Sequence, residues 1–366
     1  MIQIQHIDDF LQRFRQLERC VVQSLDLSSV PVDWSRLDVS DAVFLGCSFP
    51  SDKVEVMLRK RGALIFPQIG NLPYNPYRNT LYTWQELLQP TANGLTTDAA
   101  ILHHFEQNRK RLPSILETLA QRIHDHAIDD ALQEILYPPH QPRKKVVGIM
   151  GGHSNPRTDP FYRLTAQTAY LLAKKGYLLV SGGGPGLMEA VNLGAYLAAQ
   201  PPEALTWAMD TLMKAPHFSN EGYHQSALSI LERFPMGTEN IAVPTWFYGH
   251  EPTNVFATSI AKYFGNSIRE DGLLAICLDG VVYAPGSAGT TQEIFQDAAQ
   301  NHYATFNYYS PMVFLGIDRY TQQTGIYPLL QQLAEGRTYR QMLHLSDNPD
   351  EIVNFIETHP PLEKEL

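Results

Sequence analysis

Apolar residues in the second part of the chain form short continuous runs, each followed by a glycine-rich corner or by a stretch with helical periodicity. Strand-like runs occupy residues 145–150, 177–180 and 281–283, and helix-like stretches occupy residues 161–175, 187–199 and 294–300. A strand, a crossover helix and a second strand form a right-handed unit, so these runs predict a parallel sheet covered by helices. The expected fold class is α/β, with a Rossmann-like doubly wound parallel sheet.

The same pattern continues to the C-terminus. It predicts a helical insertion at 201–234, a strand at 240–246, a helix at 254–278, a last strand at 312–316, and helices at 325–335 and 349–357. The apolar content of residues 255–278 exceeds one helix face, which indicates contact with a second surface such as another copy of the chain.

The first part of the chain has shorter and more varied apolar runs. Helices are predicted at 7–19 and 52–61, a strand at 63–66, an irregular loop at 67–78, and a helical region at 98–136 broken near Pro113. Between residues 25 and 47, short apolar runs are separated by Asp and Ser, a pattern similar to that of a pentapeptide-type β coil. These features predict a small α+β domain.

Residues 137–142, Tyr-Pro-Pro-His-Gln-Pro, are the clearest linker in the sequence, because proline ends a helix. We therefore predict an N-terminal α+β accessory domain at residues 1–140 and a Rossmann-like nucleotide-binding catalytic domain at residues 141–366. At 366 residues the chain is long enough for two cores.

Two glycine-rich corners follow strand-like runs and open helices, one at residues 181–189 and the other at residues 284–293. Glycine lets backbone N–H groups approach a ligand, and a helix start attracts an anion. Thr290 and Thr291 add hydroxyl groups at the second corner, and Glu293 adds a carboxylate in the first helical turn. Two such corners in one sheet predict a single site for a phosphorylated ligand.

Open α/β sheets bind ligands beyond the carboxyl ends of their strands. Here those ends carry Gly151–His153, Gly182–Gly184, Phe247–His250 and Pro285–Thr290. We therefore expect these segments to meet around one cleft.

The stretch Gly182-Gly-Gly-Pro-Gly-Leu-Met188, followed about a hundred residues later by Pro285-Gly-Ser-Ala-Gly-Thr-Thr-Gln-Glu293, resembles the LOG-type nucleoside 5′-monophosphate phosphoribohydrolases, often misnamed lysine decarboxylases. The resemblance covers residues 145–316, about half of the chain. Ser287 stands where the family has its second glycine.

This resemblance implies a hydrolase that cleaves the N-glycosidic bond of a nucleoside 5′-monophosphate, releasing free base and ribose 5-phosphate without a cofactor. It implies catalytic roles for Glu293 and for Arg269, which lies on the helix before the second corner, and it implies a homodimer or higher homo-oligomer. The residues assigned to substrate or phosphate binding are Gly152, His153, Gly182, Gly183, Gly184, Gly286, Ser287, Gly289, Thr290 and Thr291.

Simpler roles remain open for these residues. The Gly182–Gly184 corner could be only a tight turn, Glu293 only a helix cap and Arg269 only part of a solvated ion pair. The alternative function is a non-catalytic carrier of a nucleotide or phosphorylated cofactor with the same fold, which Ser287 and the extra N-terminal domain favour. An intact Arg269 and Glu293 pair favours the enzyme.

The composition and the absence of certain motifs exclude several functional classes of protein. A formal charge of -10 argues against binding to nucleic acid. Cys20, Cys47 and Cys277 lack metal-binding spacing, so no metal site is expected and a reducing cytoplasm fits best. No secretory leader or membrane-spanning stretch is expected. The sequence also lacks a Walker lysine, a GxSxG elbow, a dinucleotide fingerprint and a glycine corner with a Schiff-base lysine.

Overall fold

A computed structural model describes residues 2–109 and 113–364 of the chain. The chain forms two compact units, one made of Met1–Leu81 with His103–Ile135 and the other of Tyr82–Leu102 with Leu136–Leu366. The domain organisation 1–140 and 141–366 stays a prediction. Residues 82–102, however, belong to the same compact unit as the C-terminal part of the chain.

The first unit contains a four-stranded parallel sheet in the order β1-β2-β3-β4. Its strands are β1 (Ile2–Ile4), β2 (Cys20–Gln23), β3 (Val43–Leu45) and β4 (Leu64–Phe66). Its helices are α1 (Ile7–Arg13), α2 (Asp52–Lys60) and α5 (Ile115–Leu136), and α4 (Thr97–Arg109) spans the change from one unit to the other.

Apolar side chains from successive strands stack inward in this sheet. Val22 pairs in register with Phe44, and Phe44 with Ile65, and all three are buried. Successive strands begin at residues 20, 43 and 64, so the short apolar runs between residues 25 and 47 span the connection from β2 to β3 and do not mark one strand each. The break expected near Pro113 adjoins residues 110–112, which lie outside the described part of the chain.

The second unit is built on a seven-stranded parallel sheet with the order β12-β11-β9-β5-β6-β7-β8. Its strands are β5 (Val146–Met150), β6 (Leu178–Ser181), β7 (Asn240–Ala242), β8 (Ser259–Ile260), β9 (Val281–Tyr283), β11 (Met312–Phe314) and β12 (Leu343–Leu345). The strand order reverses between β5 and β9, which is the switch point where such sheets bind ligands. The predicted Rossmann-like α/β fold is confirmed.

Helices surround this sheet. They are α3 (Trp84–Leu88), α6 (Pro160–Lys174), α7 (Leu187–Tyr196), α8 (Pro202–Leu212), α9 (Tyr223–Arg233), α10 (Asn266–Ile276), α11 (Ala288–Tyr303), α12 (Ile326–Leu333) and α13 (Pro349–Thr358). Shorter elements are 3₁₀ turns at Trp34–Arg36, Leu197–Ala199 and Thr338–Met342, a π-helical turn at Arg319–Gln323, and the antiparallel pair β10 (Tyr308–Tyr309) and β13 (Leu362–Glu363). Helices α8 and α9 form the expected insertion.

The helix predicted at 254–278 is wrong in its first half, because helix α10 begins only at Asn266. Ile260 exchanges backbone hydrogen bonds with Tyr82 at 2.8 and 3.0 Å, and Ala261 N–H donates to the carbonyl of Ala242 at 2.8 Å. Pairing with these distant backbones holds the segment extended and overrides its helical pattern. The predicted strand at 240–246 likewise shortens to β7, and β12 was not predicted.

A buried ion pair joins α7 to the insertion. Arg157 donates to the Glu189 carboxylate from Nε at 2.8 Å and from Nη2 at 2.6 Å, and both residues are almost fully buried. Arg157 also donates from Nη1 to the carbonyls of Ala215 and Tyr223 at 3.1 Å. The Tyr162 hydroxyl donates to Glu189 at 2.9 Å. One guanidinium thereby fixes the loop before α6, helix α7 and the segment between α8 and α9.

We expect Arg157→Ala to lower the free energy of unfolding by about 3–5 kcal/mol, because the substitution leaves the Glu189 charge buried without its partner. Urea unfolding of the full chain measures this change. Arg163→Ala is the matched control: Arg163 pairs with Asp210 at 3.2 Å on the surface, and such pairs contribute up to about 1 kcal/mol. Equal losses in the two variants would contradict a special role for the buried pair.

Candidate functional site

A cleft of about 490 Å³ lies at the carboxyl ends of β9, β5, β6 and β7 in the second unit. Its size falls within the range of small-molecule sites. The four strands are neighbours in the sheet, so each contributes the loop that follows it. Both glycine corners reach this cleft, as the sequence predicts.

The backbone of Gly152, just after β5, links the two corners. Its N–H donates to the carbonyl of Pro285 at 3.0 Å, and its carbonyl accepts from the N–H of Leu187 at 3.0 Å. A Cβ at this position would lie 2.3 Å from Asn155 Oδ1 and 3.1 Å from the Pro285 carbonyl. A side chain at this position would therefore require the Asn155 amide to move and would crowd the Pro285 carbonyl.

The second corner is supported from outside the cleft by residues that follow β11. Arg319 donates from Nη2 to the carbonyl of Gly286 at 2.7 Å, and the Tyr320 hydroxyl donates to the carbonyl of Ala284 at 2.8 Å. Helix α11 begins directly after this loop, and Thr291 N–H bonds back to the Ser287 carbonyl at 3.0 Å. The N–H groups of the preceding residues lie at the open end of the helix, where an anion is stabilised.

Arg269 and Glu293 meet at the floor of the cleft. Arg269 Nη1 lies 3.3 Å from Glu293 Oε1, and both residues are at least nine-tenths buried. Arg269 Nε also donates to the carbonyl of Val243 at 2.8 Å, and Nη2 donates to that of Gly182 at 3.4 Å. The arginine is therefore held across the ends of β6 and β7 and is not a solvated surface residue.

Burial raises the pKa of Glu293 above its ordinary value, although the Arg269 guanidinium opposes this shift. The nearby Glu270 carboxylate adds to the rise in pKa. Oε2 of Glu293 accepts no hydrogen bond from the residues that the structure describes. A carboxylate with a raised pKa and one open oxygen suits proton transfer.

A second carboxylate in the cleft is engaged by amides. Glu270 accepts from Asn266 Nδ2 at 2.7 Å and from Gln292. Asn266 Nδ2 also donates to the Tyr248 hydroxyl at 3.0 Å. Tyr248 is 64% exposed and Phe218 is 40% exposed, and both line the cleft. The rim therefore offers aromatic surface on which a planar group can stack.

The structure brings most of the predicted residues to the cleft wall. Those lining it are Gly152, His153, Gly182, Arg269, Ser287, Gly289, Thr290 and Glu293. The others support the wall without lining it, and they are Gly183, Gly184, Gly286 and Thr291. Gly183 has a φ of +79°, and a Cβ there would lie 2.7 Å from Pro244, so its role is a turn.

The sequence gave no role to Glu251, Glu270, Phe218 or Gln292, which also line the cleft. The sequence feature that could have pointed to these residues is the polar and aromatic stretch after β7, which includes Tyr248 and His250. Glu270 stands next to Arg269 in the sequence, yet that adjacency favoured a surface ion pair and hid its position in the cleft.

No group of three or more His, Cys, Asp or Glu side chains among residues 2–109 and 113–364 could hold a metal ion. Within the same ranges, no helix combines the length and apolar character needed to cross a bilayer. Cys20, Cys47 and Cys277 are buried free thiols.

Residues 144–199 match the SLOG cluster4 family. The matched segment contains β5, α6, β6, the first glycine corner and α7. The resemblance to LOG-type proteins is therefore confirmed through this segment. A search of curated proteins found no match.

Among solved structures, the chain is similar to the molybdenum cofactor binding protein of Rippkaea orientalis, with 16% identity, 60% of this chain and 98% of that chain covered, and a TM-score of 0.36. It is similar to the molybdenum cofactor carrier protein of Chlamydomonas reinhardtii, with 16% identity, 59% of this chain and 98% of that chain covered, and a TM-score of 0.37. It is also similar to the protein TM1055, with 20% identity, 59% of this chain and 99% of that chain covered, and a TM-score of 0.36. Such values do not extend the ligands of those proteins to this chain.

Two glycines of the second corner give a matched test of the loop geometry. A Cβ on Gly286 would lie 2.1 Å from Thr290 Oγ1 and 2.6 Å from Thr290 Cβ, whereas a Cβ on Gly289 would meet no atom within 4 Å. We expect Gly286→Ala to cost about 1–3 kcal/mol of folding stability through overpacking. Gly289→Ala should leave stability unchanged or slightly raised, because alanine favours a helix. Thermal unfolding measures both, and a larger loss for Gly289→Ala would refute this geometry.

Proposed function

We propose that this chain, whose residues 144–199 match the SLOG cluster4 family, is a nucleoside 5′-monophosphate phosphoribohydrolase. The observation that carries the proposal is the Arg269–Glu293 pair, placed in the cleft beside a helix start built on a glycine corner. A carrier needs only the anion cradle. A buried carboxylate with an open oxygen next to that cradle adds a group suited to chemistry at the sugar.

The 5′-phosphate is assigned to the second corner. The N–H groups at the start of α11 face the cleft around Gly289 and Thr290, and the helix dipole adds to their attraction for an anion. Ser287 lines the same wall and contributes a hydroxyl group. The site has few cations, so backbone donors supply most of the binding.

Cleavage breaks the bond between C1′ of the ribose and the base nitrogen, and the bonding electron pair leaves with the base. The ribose then carries positive charge, as in glycoside hydrolysis. Glu293 lies one helical turn beyond the phosphate corner, where its carboxylate can stabilise this charge. The oxygen of a water molecule adds to C1′, and Oε2 of Glu293 accepts the water proton.

Arg269 has a positioning role in this scheme. Its bonds to the carbonyls of Val243 and Gly182 fix the guanidinium, which in turn fixes Oε1 of Glu293. Because its charge lowers the pKa of Glu293, it also keeps more of that residue ionised near neutral pH. The enzyme therefore needs both members of the pair.

A homodimer in the cytoplasm stays part of the proposal on the strength of the family resemblance. The supporting argument from residues 255–278 is weaker than the sequence indicated, because only Asn266–Ile276 is helical. The remaining apolar residues of this stretch include Val255, Phe256 and Ala257, which are buried within the second unit.

Glu293→Gln should lower kcat by about 10²-fold or more while the fold is retained, because acid–base groups contribute about 10²–10⁴ to turnover. For the wild type, kcat/KM should fall on the acid side as the pH drops through the raised pKa of Glu293. Release of free base from AMP, followed by chromatography across a pH series, measures both effects.

The variant should lose this acid limb along with its activity, since glutamine does not titrate. Glu335→Gln serves as the control, because Glu335 is exposed and remote in sequence from the cleft loops. Near-normal turnover in Glu293→Gln would return Glu293 to a capping role.

A phosphate cradle also predicts a ranking of substrates. AMP should be cleaved far faster than adenosine, because energy from binding the remote phosphate is used at the reacting centre. ADP and ATP should react more slowly than AMP, since the corner closes around one terminal phosphate. Base release from all four at equal concentration tests this.

Two results of that comparison would overturn parts of the proposal. Equal rates for adenosine and AMP would reject the phosphate cradle. Binding of AMP without release of base would place the protein among carriers, the alternative that the Ser287 substitution favours.

A further inference from the structure

Glu251 differs from the other two carboxylates of the cleft. Glu293 is paired with Arg269, and Glu270 is bonded to Asn266 and Gln292. Among the residues that the structure describes, by contrast, no hydrogen bond or ion pair engages the Glu251 carboxylate. It is therefore a free acceptor on the wall of a site whose other acids are satisfied.

The carboxylate of Glu251 lies directly over the first glycine corner. A Cβ built on Gly184 would be 2.9 Å from Glu251 Oε2, so the absence of a side chain at Gly184 leaves room for this oxygen. A Cβ built on Gly182, two residues earlier, would likewise lie 2.7 Å from Nη2 of Arg269. The corner thus separates the reactive pair from Glu251.

The sheet order separates Glu251 from the phosphate corner. The phosphate corner follows β9, whereas the Glu251 carboxylate lies over the corner that follows β6, with β5 between the two strands. Two inter-strand spacings amount to about 10 Å. One chemical group of a ligand cannot span that distance, so a phosphate at the β9 end leaves Glu251 to the opposite end of the molecule.

The loop that carries Glu251 is anchored on both sides by one buried carboxylate. Asp98 accepts from Trp246 Nε1 at 2.8 Å before Glu251 and from Thr253 Oγ1 at 3.3 Å after it. Lys262 Nζ donates to the same carboxylate at 2.7 Å. An acceptor on a loop held in this way is fixed before the ligand arrives, which favours selectivity.

We propose that Glu251 reads the base, by accepting a hydrogen bond from an exocyclic amino group, and that the site selects amino-bearing bases such as adenine and cytosine. This inference rests on the proposed nucleotide site and names its substrate class. A carboxylate accepts from the amino group at C6 of adenine or C4 of cytosine. Hypoxanthine and uracil carry a carbonyl at the same position, and a carbonyl oxygen is itself only an acceptor. Tyr248 and Phe218 on the rim supply aromatic faces for the base.

Binding to the full chain tests this without relying on turnover. In a Glu293→Gln background, where the ligand stays intact, isothermal titration calorimetry gives Kd for AMP and IMP. AMP should bind about 10-fold or more tightly than IMP, because a hydrogen bond to a charged acceptor is lost with IMP. Adding Glu251→Gln should bring the ratio close to one, since the amide can turn to donate to IMP. Adding Glu335→Gln instead should leave the ratio unchanged.

The comparison of CMP with UMP should repeat this pattern. Equal affinities for AMP and IMP in the parent would overturn the role of Glu251 while leaving the nucleotide site intact. Glu251→Gln could instead change the ratio of the Kd values for AMP and 2′-deoxy-AMP and leave the ratio for AMP and IMP unchanged. That result would assign Glu251 to the ribose and overturn the proposal. Failure of every monophosphate to bind would reject the proposed function itself.

Discussion

The geometry of the cleft depends on the two hydrogen bonds of the Gly152 backbone. The carbonyl of Gly152 accepts from the N–H of Leu187 at the first corner, and its own N–H donates to the carbonyl of Pro285 at the second, so the residue that follows β5 sets the distance between the corners. The corners lie on the strands that flank β5 in the sheet. A side chain at this position would displace the Asn155 amide and crowd the Pro285 carbonyl.

The second unit contains two buried arginine–glutamate pairs that differ in how completely their hydrogen-bonding groups are used. Arg157 and Glu189 share two short bonds, and Nη1 of the arginine donates to two carbonyls and one hydroxyl group of the insertion. Arg269 and Glu293 are joined by one longer contact, and an oxygen of Glu293 stays open toward the cleft. A fully satisfied pair stabilises the fold, whereas a partly satisfied pair beside a cavity can act on a ligand.

The sequence marks the glycine corners and Glu293 because they lie in a local pattern of strand, glycine and helix, whereas Arg269 was assigned through the family resemblance. Sequence reasoning failed at residues 254–265, where pairing with Tyr82 and Ala242 decides the backbone conformation. It missed Glu251 for a similar reason, since no local pattern marks a loop residue whose neighbours come from other strands. Local chemistry was therefore predictable, and contacts between distant segments were not.

The segment 82–102 gives the second unit an unusual order of assembly. Tyr82 and Asp98 are made early, yet their partners Ile260 and Lys262 follow about 160 to 180 residues later in the chain. Until those residues leave the ribosome, the buried Asp98 has no lysine partner and Tyr82 has no strand to pair with. The unit that contains the cleft is thus completed late in synthesis, and contacts of such sequence separation slow folding. A fragment starting after the proline-rich linker would carry the entire cleft and still lack the carboxylate that anchors one of its walls.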